Sequence, residues 1–268
     1  MEPLRVSISP HPRRRSEATT DVGEPLAGVV CRAPWTSLHL DQAGDVRPCC
    51  QSTHVLGNVE RQSLDEIWRG APAGQLRAAV AEGDLSVGCG FCEWAVRAGD
   101  DAAAYARRFD DDEVAEQAGQ PTRIEIAPSN TCNLQCTMCN GEWSSSIRSQ
   151  REHLPPLPKR YGDAFFEQIE PWLPALRQVD VFGGEPFLAR ESLRLLELLA
   201  DQAPHVRGLV TTNGTIWNDR VERLLRDLDL SVTVSVDGAT RETYESIRVG
   251  ADWDVLQDHL GRFLEACG

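Results

Sequence analysis

The sequence predicts an α/β fold in two parts, a small cysteine-rich unit followed by strand–helix repeats around a parallel sheet. Two observations predict this fold. The chain has nine cysteines in 268 residues, and most of them fall into two groups. From residue 122 onward, short β-branched runs alternate with amphipathic helical stretches. Repeated βα units of this kind form parallel sheets whose ligand sites lie at the carboxyl ends of the strands.

The composition is that of a folded, acidic protein. Hydrophobic residues make up 41% and charged residues 25% of the chain, which is near the globular average. The chain contains neither a long apolar run nor an export signal, so we expect a cytoplasmic protein without a membrane span. The net charge of −14 disfavours nucleic acid as a partner. Since the cytosol keeps thiols reduced, the cysteines favour metal binding over disulfides.

Composition divides the chain into four predicted segments. Residues 1–26 are rich in Pro, Ser, Arg and Glu and are predicted to be a disordered tail. Residues 27–97 form the cysteine-rich unit, in which a capping box at Ser63–Glu66 starts one helix and Gly83 ends another. Residues 98–121 combine alanines with acidic residues and are predicted to be a solvated linker.

The fourth segment, residues 122–268, carries the βα repeats. The predicted strands span 123–127, 178–182, 208–211 and 231–235. Helical periodicity predicts helices near 161–173, 190–202, 219–228, 241–247 and 253–265. The chain therefore supplies about four βα units.

Three cysteines follow the first predicted strand. Cys132, Cys136 and Cys139 have the spacing C-x3-C-x2-C. Three thiolates on one tight loop can hold three corners of a cubane iron–sulfur cluster and leave the fourth iron open to a small molecule. Zinc is the alternative, but a structural zinc site closes all four positions. The spacing favours an iron–sulfur cluster.

Glycine-containing motifs follow the next three strands. They are Gly183-Gly184-Glu185-Pro186, Thr211-Thr212-Asn213-Gly214 and Ser235-Val236-Asp237-Gly238. Each one alone fits ordinary turn chemistry. Together with the three-cysteine loop, and in this order, they resemble the radical S-adenosylmethionine (radical SAM) superfamily. The resemblance implies a partial (βα)6 radical SAM barrel with about four of its six βα units present.

The resemblance also implies the cofactor and its ligands. Cys132, Cys136 and Cys139 would hold a [4Fe–4S] cluster whose open iron binds the amino and carboxylate groups of S-adenosylmethionine. Glu185 would accept hydrogen bonds from that amino group. Gly183 and Gly184 would let the backbone approach the ligand closely.

Further contacts to S-adenosylmethionine are implied for five residues. Candidates for ribose and carboxylate contacts are Thr212, Asn213, Ser235 and Asp237, with ordinary turn hydrogen bonding as the alternative. Met138 stands where the family commonly has an aromatic residue that packs on the adenine. A thioether can fill the same contact.

A second cysteine set lies in the N-terminal unit. Cys31, Gly44 and Cys49 have the spacing C-x12-G-x4-C, and Cys89 and Cys92 follow as C-x2-C. This pattern resembles the twitch or SPASM type of auxiliary domain, which implies a second [4Fe–4S] cluster held by the four cysteines. A zinc ribbon fits the spacing as well, and Cys50 competes with Cys49 as a ligand.

The resemblance implies reductive cleavage of S-adenosylmethionine to a 5′-deoxyadenosyl radical, which abstracts a hydrogen atom from a peptide or small natural product. Oxidation, cross-linking or epimerisation would follow. The auxiliary cluster would serve as an electron conduit, and flavodoxin or ferredoxin as the reductant. RNA is the third choice of substrate because of the negative charge.

Two alternatives to an active enzyme stay open. One is a non-catalytic iron–sulfur or zinc-binding protein that keeps the metal loops. The other follows from the missing fifth and sixth strands, which favour a truncated or inactive fragment of such an enzyme. A partner, or the N-terminal segment, covering the exposed sheet edge would be another explanation, because an uncovered edge promotes aggregation.

Overall fold

The computed structural model of the protein describes residues 31–112, 114 and 119–267. The predicted tail, residues 1–26, lies outside this range. The strands are β1 (Ser37–Leu40), β2 (Asp45–Arg47), β3 (Gly57–Asn58), β4 (Arg123–Ile126), β5 (Gln178–Val181), β6 (Arg207–Thr212) and β7 (Leu230–Val234). No helix among these residues is long and apolar enough to cross a membrane.

Ten α-helices surround the strands in the described ranges. Four belong to the N-terminal unit, namely α1 (Ala33–Thr36), α2 (Leu64–Arg69), α3 (Ala71–Ala81) and α4 (Gly90–Arg97). The others are α5 (Ser145–Gln150), α6 (Asp163–Ile169), α7 (Arg190–Gln202), α8 (Asp219–Asp227), α9 (Arg241–Ile247) and α10 (Trp253–Cys267). Short 3₁₀ helices span Asp101–Ala103, Tyr105–Phe109 and Glu170–Ala175.

All seven strands form one sheet in the order β3-β2-β1-β4-β5-β6-β7. The pairs from β1–β4 through β6–β7 are parallel, whereas β2 and β3 are antiparallel additions at one edge. The four strands predicted after residue 122 are confirmed, and so is a mostly parallel α/β fold. Their carboxyl ends therefore lie along one edge of the sheet.

The two faces of the sheet differ in chemistry. Leu38, Leu40, Ile124 and Ile126 are buried in the hydrophobic core together with apolar side chains of α7 and α8. His39 and Glu125 alternate with these residues and so lie on the opposite face. One face is thus covered by helices, and the other presents buried polar groups.

The N-terminal unit is more regular than predicted. Its capping box is present, since Ser63 and Glu66 exchange backbone–side chain hydrogen bonds at the start of α2. The expectation of a loop-rich unit missed β1, which pairs in parallel with β4. Two- to four-residue strands carry too little alternation to be recognised from sequence.

The predicted solvated linker is wrong for its central part. Ala104, Ala106 and Phe109 are buried, with at most 2% of each exposed. The hydroxyl of Tyr105 donates to Glu125 on β4 at 2.7 Å. Residues 105–109 therefore pack against the polar face of the sheet, which their alanine-rich composition did not indicate.

Candidate functional site

A cavity of 450 Å³ lies at the carboxyl ends of β5–β7, beneath the loop that follows β4. The three thiols of Cys132, Cys136 and Cys139 border it. Its other lining residues are Met138, Asn140, Trp143, Phe182, Gly183, Gly184, Thr211, Thr212, Asn213, Ser235 and Arg248. Its volume is within the range of roughly 300–1,000 Å³ that is typical of ligand sites.

Backbone hydrogen bonds hold the cysteine loop in place. The amides of Gln135 and Thr137 donate to the carbonyls of Val249 and Ile247 at 2.8 and 2.9 Å. At the loop's start, the Cys132 amide donates to the Ser145 hydroxyl at 3.1 Å. The cysteine loop is therefore held by the end of α9, by the residues that follow α9 and by Ser145 at the start of α5.

The surroundings of two loop thiols disfavour their deprotonation. Burial raises the pKa of Cys132 and of Cys139, and the nearby Glu185 carboxylate raises that of Cys132 further. Since a cluster binds thiolates, its assembly here must displace protons.

The backbone conformation and the close packing at positions 183 and 184 require glycine. Both have positive φ, 84° and 51°. A Cβ on Gly184 would lie 2.3 Å from the Thr131 carbonyl oxygen, and one on Gly183 would lie 2.8 Å from the Ala127 Cβ. The two glycines thus let the β5 loop pack directly against the segment that leads into the cysteine loop, in addition to bordering the cavity.

The Glu185 carboxylate lies behind the cavity wall rather than in it. It is fully buried and does not border the cavity. Its Oε1 accepts from the Phe187 amide and the Thr212 hydroxyl at 3.0 and 2.7 Å, and Oε2 accepts from the Asn213 amide at 2.7 Å. Burial raises its pKa despite these bonds. The chain itself supplies three donors to this carboxylate, and its sequence-based role as acceptor for a ligand's amino group stays a prediction.

The remaining predicted contacts divide between the cavity and its surroundings. Thr212, Asn213 and Ser235 border it, and Met138 stands 62% exposed at its rim. Asn213 also donates to the Asn133 side chain at 3.0 Å and approaches the Cys132 sulfur at 3.9 Å. Asp237 does not border the cavity and instead pairs with Arg248.

Four lining residues escaped sequence analysis, namely Asn140, Trp143, Phe182 and Arg248. Phe182 and Trp143 give the cavity aromatic walls, and Arg248 is the one cationic side chain among its described lining residues. Phe182 directly precedes the Gly183-Gly184 motif and could have been found from it. Arg248 lies at the end of a helix, with no sequence signal that places it here.

A larger cavity of 530 Å³ lies on the other side of Cys132. It contains one thiol, and hydroxyls in its wall are already hydrogen-bonded within the chain. Ser129 pairs with Thr131 at 2.9 Å, and Ser149 donates to the Ser145 carbonyl at 2.9 Å. The donor set for a cluster is therefore on the 450 Å³ side.

The second cysteine set also converges. Cys31, Cys49, Cys89 and Cys92 border one small apolar cavity, whereas Cys50 does not. Burial raises the pKa of the Cys31 thiol to about 12 and that of Cys89 to about 11. The cavity between them has a volume of 20 Å³.

A chain of contacts runs between the two cysteine sets. Phe182, in the wall of the first cavity, stacks on His39 with a centroid distance of 5.6 Å. His39 Nδ1 lies 3.5 Å from Glu125, which accepts from the amide of Cys50 at 3.0 Å. Cys50 directly follows Cys49. The two cavities are thus connected through the half-buried Phe182 and the buried His39 and Glu125.

The donor sets fit iron–sulfur clusters in kind. Thiols are the ligands of such clusters, and three of them face one cavity and four the other. Among the described residues, no three His, Cys, Asp or Glu side chains are grouped as ligands of a single metal ion.

Curated relatives match about half of the chain. GTP 3′,8-cyclase of Acidothermus cellulolyticus is 33% identical over 159 residues, which are 55% of this chain and 40% of that protein. The FeMo cofactor biosynthesis protein NifB of Klebsiella pneumoniae is 32% identical over 120 residues, which are 43% of this chain and 25% of that protein. The chain spans less than half the length of these relatives.

Solved structures show weaker likeness. Native anSMEcpe with bound AdoMet is 23% identical at a TM-score of 0.44, covering 55% of this chain and 42% of that one. SuiB of Streptococcus suis bound to the precursor peptide SuiA is 13% identical at a TM-score of 0.40, covering 70% of this chain and 46% of that one.

Family models cover both parts of the chain. The iron–sulfur cluster-binding SPASM domain matches residues 31–93, which include the four N-terminal cysteines that share a cavity. These two features imply an auxiliary iron–sulfur cluster, in addition to the [4Fe–4S] cluster and S-adenosylmethionine that radical SAM domains bind. The radical SAM model matches residues 126–266, more than half of the chain, and the chain therefore belongs to the radical SAM superfamily.

Proposed function

We propose that the protein reductively cleaves S-adenosylmethionine and abstracts a hydrogen atom from a peptide or small natural product. The observation that carries this proposal is the convergence of three thiols with the ends of three strands on one cavity. The bound cluster would supply the electron that cleaves the sulfonium to a 5′-deoxyadenosyl radical. The four-cysteine cavity supports an auxiliary cluster that accepts or delivers electrons.

The chain's own residues have distinct tasks in this proposal. Cys132, Cys136 and Cys139 hold the cluster, and the strand-end loops carrying Thr212 and Ser235 offer polar groups to the nucleoside. Met138 and Trp143 at the rim would pack on the base and limit the access of water. Asn213 ties the β6 end to the cysteine loop, so that ligand and cluster keep one geometry.

In this proposal Glu185 keeps its predicted bond from the ligand's amino group, and both Glu185 and Asp237 hold other groups of the site in place. Glu185 fixes the amide of Asn213 and the hydroxyl of Thr212, and Oε2 retains one lone pair after its bond from Asn213. Asp237 holds Arg248. We propose that residues 27–97 hold the auxiliary cluster and that residues 122–268 hold the S-adenosylmethionine site, with the bounds that the sequence predicts.

Anaerobic reconstitution of the full chain tests the function. We expect about eight iron atoms per chain and dithionite-dependent release of 5′-deoxyadenosine. Replacing Cys132, Cys136 and Cys139 with alanine should abolish this release and leave about four irons. Replacing Cys89 and Cys92 should remove the auxiliary cluster and spare the release.

Cys267 provides the matched control. It is exposed on α10 and borders neither cysteine cavity, so Cys267→Ala should retain both clusters and the release of 5′-deoxyadenosine. Bound zinc without iron–sulfur absorbance would contradict the proposal and support a non-catalytic metal protein. Equal losses of iron and of 5′-deoxyadenosine release in the two cysteine variants would show that the two cysteine sets do not act as separate sites.

A further inference from the structure

Arg248 is positioned to act on the cluster electronically. It is the C-cap residue of α9, and its side chain is 14% exposed. Its Nη1 donates to the sulfur of Cys136 at 3.6 Å. No other cationic side chain borders this cavity among the described residues.

The guanidinium is held from two directions. Nη2 forms an ion pair with Asp237, which follows β7 and has a positive φ of 56°. The backbone amide of Arg248 donates to the Tyr244 carbonyl at 2.7 Å. Nε is buried without a partner among the described residues. Two fixed contacts therefore orient the N–H group that faces Cys136, and the planar fork suits this double contact.

A hydrogen bond to a cluster sulfur stabilises the reduced form. Reduction adds negative charge that spreads onto the thiolate sulfurs, and an N–H donor offsets it. Asp237 neutralises part of the positive charge of Arg248. The N–H···S hydrogen bond is therefore the main contribution of Arg248 to stabilising the reduced cluster.

We propose that Arg248, by donating to the Cys136 sulfur, raises the reduction potential of the cluster held by Cys132, Cys136 and Cys139. This proposal rests on the proposed function, because it requires a cluster at these cysteines. Arg248 acts on the cluster through the Cys136 sulfur. The raised reduction potential of the cluster then lies closer to that of a cellular reductant. The matched residue is Arg151, which donates to the Gln135 carbonyl of the same loop at 3.4 Å and contacts no sulfur.

Redox titration followed by electron paramagnetic resonance tests the proposal on the reconstituted full chain. The relevant signal is the one that changes on adding S-adenosylmethionine, and the titration is run without it. Arg248→Gln should lower the equilibrium constant for reduction at least tenfold, which is about 59 mV for a one-electron couple. Arg151→Gln should leave the potential unchanged.

The outcomes separate the two proposals. A potential in Arg248→Gln equal to that of the wild type, with the cluster intact, would overturn the role of Arg248 and leave the proposed function standing. If Arg248→Gln loses iron, Arg248→Met decides, because it keeps an extended side chain and has no N–H donor for the Cys136 sulfur. A lowered potential in that variant supports the proposal and an unchanged one overturns it. A wild type without a signal that responds to S-adenosylmethionine would overturn both.

Discussion

The carboxylate of Glu185 shows how a single residue can order a site from behind the cavity wall. Its two oxygens accept from a backbone amide two residues ahead and from two groups at the end of β6. The bond to the Asn213 amide fixes the turn that places the Asn213 side chain beside Asn133 and Cys132. Glu185 therefore connects the carboxyl ends of β5 and β6 beside the cavity.

The first prediction concerns this carboxylate. Glu185→Gln should lower the free energy of unfolding by about 1–3 kcal/mol, because the new amide nitrogen must face an N–H or O–H donor inside the protein. Urea unfolding of the cluster-free chain, followed by circular dichroism, measures the change.

The control is Glu197→Gln, which removes an exposed ion pair with Arg220. Its cost should stay below about 1 kcal/mol, because solvent screens exposed pairs. Equal stability of Glu185→Gln and the wild type would show that these buried hydrogen bonds do not hold the strand ends together.

At the scale of elements, the β5 loop and the cysteine loop fit each other through glycine. Gly184 has a positive φ, and its missing Cβ leaves room for the Thr131 carbonyl. The Glu185 amide donates to the same carbonyl at 2.8 Å. The start of the cysteine loop thus rests on the turn that follows β5.

The second prediction follows from this contact. Gly184→Ala should displace the segment before Cys132, because a Cβ 2.3 Å from a carbonyl oxygen cannot be accommodated and the backbone angle is unfavourable for alanine. We expect iron content after reconstitution to fall from about eight to about four per chain. Chemical iron assay together with the visible spectrum measures it.

Gly162→Ala is the matched substitution. Gly162 has a negative φ and nothing within 4 Å of the position that its Cβ would take. Full iron content is expected there. Full iron content in Gly184→Ala would disprove the packing role of this glycine.

What sequence could predict differs among the elements around the cavity. β4 to β7 and α7 to α9 have strong periodicity, and the structure confirms them nearly residue by residue. The contact between Arg248 and Cys136 joins residues 112 positions apart and depends on the turn at Asp237. Such a contact depends on tertiary packing, so no local sequence pattern predicts it. The same holds for Tyr105, whose alanine-rich surroundings favoured a solvated segment.

At the scale of the whole molecule, one sheet unites the two cysteine-bearing units. β1 of the N-terminal unit lies parallel to β4, and His39 stands opposite Glu125. Glu125 accepts from Tyr105 in the connecting segment and from the Cys50 amide beside the second cavity. This one buried carboxylate therefore contacts three segments of the chain.

The last prediction uses the pH dependence of Glu125. Burial alone would raise its pKa, but the nearby His39 ring and hydrogen bonds from Tyr105 and the Cys50 amide together lower it from its ordinary value of 4.5. A carboxyl group whose pKa is lower in the folded state stabilises the fold fully above the unfolded value. That stabilisation is lost as pH falls below 4.5 and through the folded pKa.

Glu125→Gln should therefore cost about 1.5–3 kcal/mol at neutral pH and less in acid. Urea unfolding of the cluster-free wild type and variant at a series of pH values gives both free energies, and their difference should shrink as the pH falls through the folded pKa. Tyr105→Phe removes one of the donors and keeps the carboxylate, so it should show a smaller cost. Wild-type and Glu125→Gln curves that stay parallel across the acid range would contradict the lowered pKa. The contacts of Glu125 would then reflect packing alone, and the union of the two units would rest on the β1–β4 backbone pairing.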